Sequence, residues 1–201
     1  NDLSPLMPVR HPDGNYAGQG SYTNPAAIQA QGGNTYGKKN DLWLTGALRV
    51  TPFDGLTLNA DYTFNSYGQG IKTHVRRFYD YTAVAGTEGY YPWTNPNSVV
   101  MSNDEDYYTS FNAFAEYAKT IREDHSFKIK GGYNQEYKHN KFFYAGRKGL
   151  IDNDNPALNL AVGDRLMNAN ETHWSVNGFF MRLNYDYKHK YLLEVNGRYD
   201  G

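Results

Sequence analysis

The stretch Leu56-Thr57-Leu58-Asn59-Ala60-Asp61-Tyr62-Thr63-Phe64-Asn65 decides the fold. Leu56, Leu58, Ala60, Tyr62 and Phe64 recur at every second position, opposite Thr57, Asn59, Asp61, Thr63 and Asn65. A period of two marks a strand with one face in an apolar phase and the other in a polar one. Upstream, across the break Thr51-Pro52-Phe53-Asp54-Gly55, Leu42, Leu44, Gly46, Leu48 and Val50 alternate with Trp43, Thr45, Ala47 and Arg49. Downstream the pattern returns from about Asp106 to Thr120, where Tyr107, Thr109, Phe111, Ala113, Ala115 and Tyr117 oppose Ser110, Asn112, Phe114 and Glu116. After Arg122-Glu123-Asp124-His125, Phe127, Ile129, Gly131, Tyr133 and Tyr137 alternate with Lys128, Lys130, Gly132, Asn134 and Glu136. A fifth strand carries Phe179, Met181, Leu183, Tyr185 and Tyr187 against Arg182, Asn184 and Asp186. Lys188-His189-Lys190 then turns into a sixth, with Tyr191, Leu193, Val195, Gly197 and Tyr199 against Leu192, Glu194, Asn196 and Arg198.

Between these strands lie long polar segments. Residues 1–39 are punctuated by Pro5, Pro8, Pro12-Asp13-Gly14, Pro25 and Gly32-Gly33 and read as a loop segment. Two more long loops span about residues 67–104 and 141–170. The start of the first, through Arg76 and Arg77 to Phe78, is compatible with a continuing strand, and Pro156 to Met167 has room for one helical turn. The domain reading is therefore an extracellular loop segment, 1–39, followed by a β-barrel segment, 40–201.

Composition agrees. Among 201 residues, 19 Tyr, 10 Phe and 3 Trp make a ring-rich chain, which argues against disorder and against a helical bundle. The net charge of −1 without a basic block argues against nucleic acid. The lack of Cys excludes a disulfide framework, a thiolate zinc site and a Cys nucleophile. No run approaches 18 apolar residues, which excludes a transmembrane helix but not a transmembrane barrel, whose strands are only half apolar.

Three features favour the barrel. Several alternations exceed ten residues, whereas soluble strands run about five or six and a tilted membrane strand needs about 9 to 11. Short turns alternate with connections of more than two dozen residues, as periplasmic turns alternate with extracellular loops. Tyr185, Tyr187 and Tyr191 surround the last short turn, with Tyr107 and Tyr137 near the far strand ends, as interfacial girdles require. The second face carries Arg49, Asp61, Glu116, Lys128, Lys130, Glu136, Arg182, Asp186, Glu194 and Arg198. Each cation would cost about 2 to 4 kcal/mol at the lipid midplane, so these ten are expected to face a polar lumen. Six such strands cannot close around a lumen, and open edges are not tolerated in lipid. The expected fold is all-β: about six long antiparallel meander strands of a larger transmembrane barrel.

The hairpin Arg182-Leu183-Asn184-Tyr185-Asp186-Tyr187-Lys188, continued by Lys190-Tyr191-Leu192-Leu193-Glu194-Val195-Asn196-Gly197-Arg198-Tyr199-Asp200-Gly201, resembles the SusC-like family of TonB-dependent outer-membrane transporters. Pro8-Val9-Arg10-His11-Pro12-Asp13-Gly14-Asn15-Tyr16 and Asn24-Pro25 resemble an extracellular segment of that family. The resemblance implies a 22-stranded barrel in the outer membrane, a SusD-like surface lipoprotein, a TonB complex acting through a region not in this chain, and an oligosaccharide or peptide as cargo. It implies no catalysis. The family usually places Gly where the last turn has His189, so a left-handed residue there would be mildly strained. The alternative is a soluble carbohydrate-binding β-domain, which should have shorter strands and an inner face packed as a core.

Candidate cargo contacts are the loop rings Tyr79, Tyr81, Tyr90, Tyr91 and Trp93, set against the plainer reading that they pack the loop or a lid. Asp152 and Asp154 are weak Ca²⁺ candidates without EF-hand spacing, and ordinary turn roles outweigh that reading. Six scattered His residues form no His-x-x-x-His pair, so no metal and no cofactor is expected. Asp61 and Glu116 lie among cations and read as a polar wall rather than a catalytic dyad.

Overall fold

The computed structural model describes residues 6, 8–18, 24–81, 88–90 and 92–201, with backbone only at 88–90 and 92. Six long strands form one sheet in the order β1-β2-β5-β6-β7-β8. They are β1 (Gly33–Phe53), β2 (Leu56–Val75), β5 (Ser98–Ile121), β6 (His125–Lys148), β7 (Arg165–Tyr187) and β8 (Tyr191–Asp200). Two short strands, β3 (Tyr79–Tyr81) and β4 (Glu88–Tyr90), pair antiparallel with each other. A seven-residue helix α1 (Pro25–Gln31) precedes β1, and single 3-10 turns lie at Pro92–Thr94 and Leu158–Leu160.

Lengths of 20 to 24 residues in β1, β2, β5, β6 and β7 exceed those of ordinary soluble strands several-fold. The strands also run further than the alternation indicates. β1 begins at Gly33, inside the stretch read as loop, and β2 ends at Val75, short of Phe78. β5 begins at Ser98, β6 reaches Lys148 and β7 starts at Arg165, which leaves connections of 76–97 and 149–164. Polar residues such as Thr35, Lys38, Lys72 and Thr73 stand on both faces at these ends, so pairing persists where periodicity fades.

The chain forms two compact units. The first comprises 1–38, 69–104 and 142–170. Its helix starts at Asn24, whose Oδ1 accepts from the N–H groups of Ala26 (3.1 Å) and Ala27 (3.3 Å), with Pro25 filling the first turn. The same amide donates to Val9 O (2.8 Å) and Ala17 O (2.9 Å), tying the N-terminal segment to the helix. Ala27 and Phe78 pack with Tyr16, and Val99, Leu150 and Ala161 pack with Leu158.

The second unit comprises 39–68, 105–141 and 171–201. Its connections are the tight ones, at 54–55, 122–124 and 188–190. Gly55 has φ +90°, and a Cβ there would lie 2.4 Å from Ala118 O, so the first turn requires glycine. The other two turns hold non-glycine residues at positive φ: Arg122 (54°), Glu123 (60°), Lys188 (54°) and His189 (53°). In β7–β8 the register pairs Leu183 with Val195 and Tyr185 with Leu193, so the odd-numbered apolar residues share one face.

Candidate functional site

Alternation places two unlike surfaces on the second unit. On the apolar one, Leu44, Leu48, Phe179 and Met181 are more than half exposed, and aromatic rings continue from strand to strand. Phe111 meets Tyr133 (6.4 Å between centroids) and Tyr133 meets Phe179 (5.1 Å). Toward the short turns, Phe127 packs on Tyr185 (4.8 Å), His125 on Tyr187 (4.9 Å) and Tyr187 on Tyr191 (6.4 Å).

The opposite surface is built from hydrogen-bonded rows that run across the strands. Asn112 Nδ2 donates to Asp61 Oδ2 (2.7 Å), and Asn134 Nδ2 donates to Asn112 Oδ1 (2.6 Å). Thr45 and Thr63 join by their hydroxyls at 3.0 Å. Lys128 pairs with Glu116 (3.1 Å), and the Lys130 ammonium lies 3.9 Å from the centre of the Phe114 ring. Tyr108 donates to Glu136 (3.1 Å). Arg182 donates to Asn196 (2.8 Å) and approaches Glu194 at 4.0 Å, and Arg198 chelates both oxygens of Asp200 at 2.8 Å. Asp186 accepts from the N–H of His189 (2.8 Å) and meets its imidazole Nδ1 at 2.6 Å. Arg49 is exposed. Most of these ion pairs are half-exposed, so they act mainly by neutralising the face rather than by adding much stability.

Gly132 is indispensable to that surface. A Cβ there would sit 2.5 Å from Phe114 Cβ and 2.6 Å from Phe180 Cζ, and the two rings meet above it at 6.4 Å.

Several concavities open on this unit, and two of them lie on its polar face. One is lined by Lys130, Phe180, Arg182, Asn196 and Arg198. The other, of about 490 Å³, is lined by Trp43, Thr63, Asn65, Asp106, Tyr108, Glu136, Lys138 and Trp174. The second unites residues from β1, β2, β5, β6 and β7. Sequence reasoning placed Trp43 on the second face without singling it out and assigned neither Tyr108 nor Trp174 to a face; their parity with Ser110 and Arg182 was the available signal.

The loop-ring candidates divide. Tyr79 and Tyr81 are half-buried on β3, and Trp93 is 82% exposed in its 3-10 turn. Tyr79 opposes Tyr90 in the β3–β4 register. The Tyr90 side chain and all of Tyr91 lie outside the described residues. Between Tyr79 and Tyr81, Asp80 is buried, and burial raises its pKa above 3.8 against the lowering by its own backbone N–H.

Asp152 and Asp154 serve the loop itself. Asp152 Oδ1 accepts from the Asp154 N–H (2.9 Å), while the Asp154 carboxylate pairs with Arg76. Asn153, between them, takes the Arg77 N–H on Oδ1 (2.8 Å) and gives Nδ2 to the Arg77 carbonyl (2.8 Å). Asn97 Nδ2 donates to the same Oδ1 (3.0 Å) and to Leu150 O (3.2 Å). His74 is buried beside them with Nε2 unpartnered. Burial holds its pKa below 6.5; the Asn153 backbone hydrogen bond opposes this, and the charges of Arg76 and Lys72 reinforce it. Among the described residues, no group of three or more His, Cys, Asp or Glu side chains is arranged for a metal.

No protein-family model matches the chain. Two curated proteins of Formosa agariphila do. TonB-dependent receptor P3 is 26% identical over 206 residues, covering 94% of this chain. TonB-dependent receptor P26 is 25% identical over 222 residues, covering 98%. The similarity is to TonB-dependent receptors. The chain spans about a fifth of the length of these receptors, 19% of one and 20% of the other. The solved structure of the RagAB peptide transporter superposes with a TM-score of 0.75 over 89% of this chain and 19% of its own, at 19% identity. The RagAB peptide importer in the closed-closed state gives 0.75 with the same coverage. The fold is thus that of a segment of such a barrel, as the alternation and the SusC-like hairpin indicate, and these relatives are named as receptors and as a peptide transporter.

Proposed function

We propose that this chain is part of the barrel wall of a TonB-dependent outer-membrane importer, with the polar face turned to the lumen. The observation that carries the proposal is the partition of the second unit. Charged and amide side chains are gathered on one surface in cross-strand rows, and the other surface is apolar and aromatic. Lipid suits only the second. The lumen-facing set is Arg49, Asp61, Glu116, Lys128, Lys130, Glu136, Arg182, Asp186, Glu194 and Arg198. In the whole protein the cargo is an oligosaccharide or a peptide, captured with a SusD-like lipoprotein, and TonB acts through a region outside these residues. Transport of this kind is recognition and movement, without bond chemistry. The RagAB structures are named for a peptide transporter, which supports import by this architecture.

This segment has no Cys of its own, so single thiols placed in it report its faces once any Cys elsewhere in the full-length protein has been replaced by Ser. In the full-length protein in membranes, Asn112→Cys and Asp61→Cys are expected to react with a water-soluble maleimide, and Leu58→Cys and Phe111→Cys to resist it. Equal labelling of both pairs would reverse or abolish the proposed sidedness. A deletion strain carrying the unmodified gene should regain uptake of its cargo.

A further inference from the structure

The end of β2 is where three segments of the first unit meet, well past Phe64, at which the apolar alternation of that strand stops. On one side lies the start of β1. The Arg76 N–H donates to Gly32 O (3.2 Å), and a Cβ at Gly33 would overlap the His74 carbonyl. On the other side lies the connection after β6, whose Asn153 holds the Arg77 backbone and whose Asp154 pairs with Arg76. Asn97, just before β5, adds its amide to Asn153 Oδ1 (3.0 Å). His74 is enclosed by these contacts at 7% exposure, its ring hydrogen-bonded to the Asn153 backbone and its Nε2 unpartnered. Arg76 Nε, close by, is a buried donor without an acceptor. Donors are therefore already in excess, and a proton on Nε2 would add another together with a charge. The charged groups facing the ring are Lys72 and Arg76 on β2 and Asp154 on the connection, and Asp154 is engaged by Arg76. Gly32, Gly33 and Asn97, from the other segments, carry no ionisable side chain. Burying a cation with no acceptor of its own is costly enough to favour opening.

The connection 149–164 also has a frame that does not involve His74. The Ile151 N–H donates to Leu160 O (2.9 Å) and the Val162 N–H to Gly149 O (2.9 Å), while Leu150 and Ala161 pack with Val99 of β5. The Gly149 N–H donates to Asn97 O (2.7 Å), and Asn97 Nδ2 to Leu150 O (3.2 Å). The tip, 152–155, is thus attached to β2 by a separate set of bonds from those that hold the base to β5. We propose that the Asn153 clamp is an acid-released latch: a proton on His74 frees the tip 152–155 from the end of β2, and the base at 149–151 and 160–163 stays on β5. In neutral solution the tip covers His74 and the Arg77 backbone; in acid it leaves both open. The opened latch takes the proton more readily than the closed one, so opening becomes more favourable as pH falls below about 6.5. The latch follows from the first unit alone and stands apart from the importer reading.

The test is hydrogen exchange on the full-length protein in detergent, followed from about pH 7.5 to 5.5 and corrected for intrinsic rates. Exchange at the Arg77 amide and across 152–155 should accelerate about tenfold between pH 6.5 and 5.5, the full linkage of one proton. Residues 149–151 and 160–163 should keep their protection. Two variants remove the titration in different ways: His74→Phe keeps a neutral ring, and His74→Asn keeps a short side-chain donor. Both should exchange at 76–78 and 152–155 with no dependence on pH in this range. Heat-modifiable gel migration checks that each is folded, and the profile of the unmodified protein decides the matter even where neither variant folds. Protection independent of pH in the unmodified protein overturns the latch, as does an acid response retained in both variants, which would belong to another group. Slower exchange in acid overturns it too, by showing that Asp154 turns to accept the new N–H and tightens the clamp. Equal acceleration of tip and base overturns it by making the whole connection melt. Each of these outcomes leaves the importer reading to the thiol-labelling pattern.

Discussion

Asn153 grips the backbone of Arg77 by both of its polar groups, accepting the N–H on Oδ1 and donating Nδ2 to the carbonyl, each at 2.8 Å. This pseudo-strand pairing by a side chain fastens the loop after β6 to the end of β2, and the Arg76–Asp154 ion pair flanks it.

Replacing Asn153 by Ala removes both bonds and the one from Asn97. With net values near 1 kcal/mol per bond, the local cost should be about 1–3 kcal/mol. Hydrogen exchange on the full-length protein should accelerate at residues 76–78 and 149–155 and stay unchanged across the short turns. Uniform acceleration would mean that Asn153 stabilises the whole barrel instead.

Two buried groups in the first unit give it opposite pH responses. Burial lowers the His74 pKa, so the unfolded end of β2 takes its proton first and stability falls as pH drops below about 6.5. Burial raises the Asp80 pKa, so the unfolded loop ionises first and stability falls as pH climbs above about 3.8 toward the raised value. Exchange protection corrected for intrinsic rates should therefore drop around residue 74 below pH 6.5. Asp80→Asn should raise protection of 79–81 at pH 7 and leave it unchanged in acid; a loss at pH 7 would show that the carboxylate is held in its charged form.

Gly132→Ala would drive a methyl into Phe114 and Phe180. Overpacking of this kind costs about 1–3 kcal/mol. The expected result is a lower melting temperature and less folded protein in the outer membrane, with Phe180→Leu in the same chain recovering part of both. A neutral Gly132→Ala would show that the backbone of β5 beside it, with the Phe180 ring, gives way to the methyl.

The left-handed His189 is held by Asp186 through both its N–H and its ring. Asp186→Ala should cost about 1 kcal/mol, in the range of lost caps, and His189→Gly in that background should restore most of it by removing the Cβ penalty. Thermal unfolding of the two variants checks this; equal melting temperatures would assign the loss to something other than the turn.

The strands around Leu56–Asn65 were legible because the residue period coincides with the change from apolar phase to polar phase. Past Asn65 that contrast vanishes, and β2 continues to Val75 on backbone pairing with the Thr35–Thr73 hydroxyl bond beside it. Helix α1 escaped the periodicity because seven residues are too few to show it, although Asn24-Pro25 is the capping pair that begins it. The Trp43–Tyr108–Trp174 groove assembles from strands more than sixty residues apart in sequence. Face parity alone could not say that these three residues stand at the same height.

The row Asp61–Asn112–Asn134 joins three consecutive strands of the sheet through one chain of donors and acceptors. Asn112 spends its amide on the acid and its oxygen on the next amide, so its two ends are not interchangeable. Drift at one of the three positions then has to be answered at the others. Among homologous barrels these sites are expected to covary as a triplet, turning over together as acid–amide–amide or being replaced together.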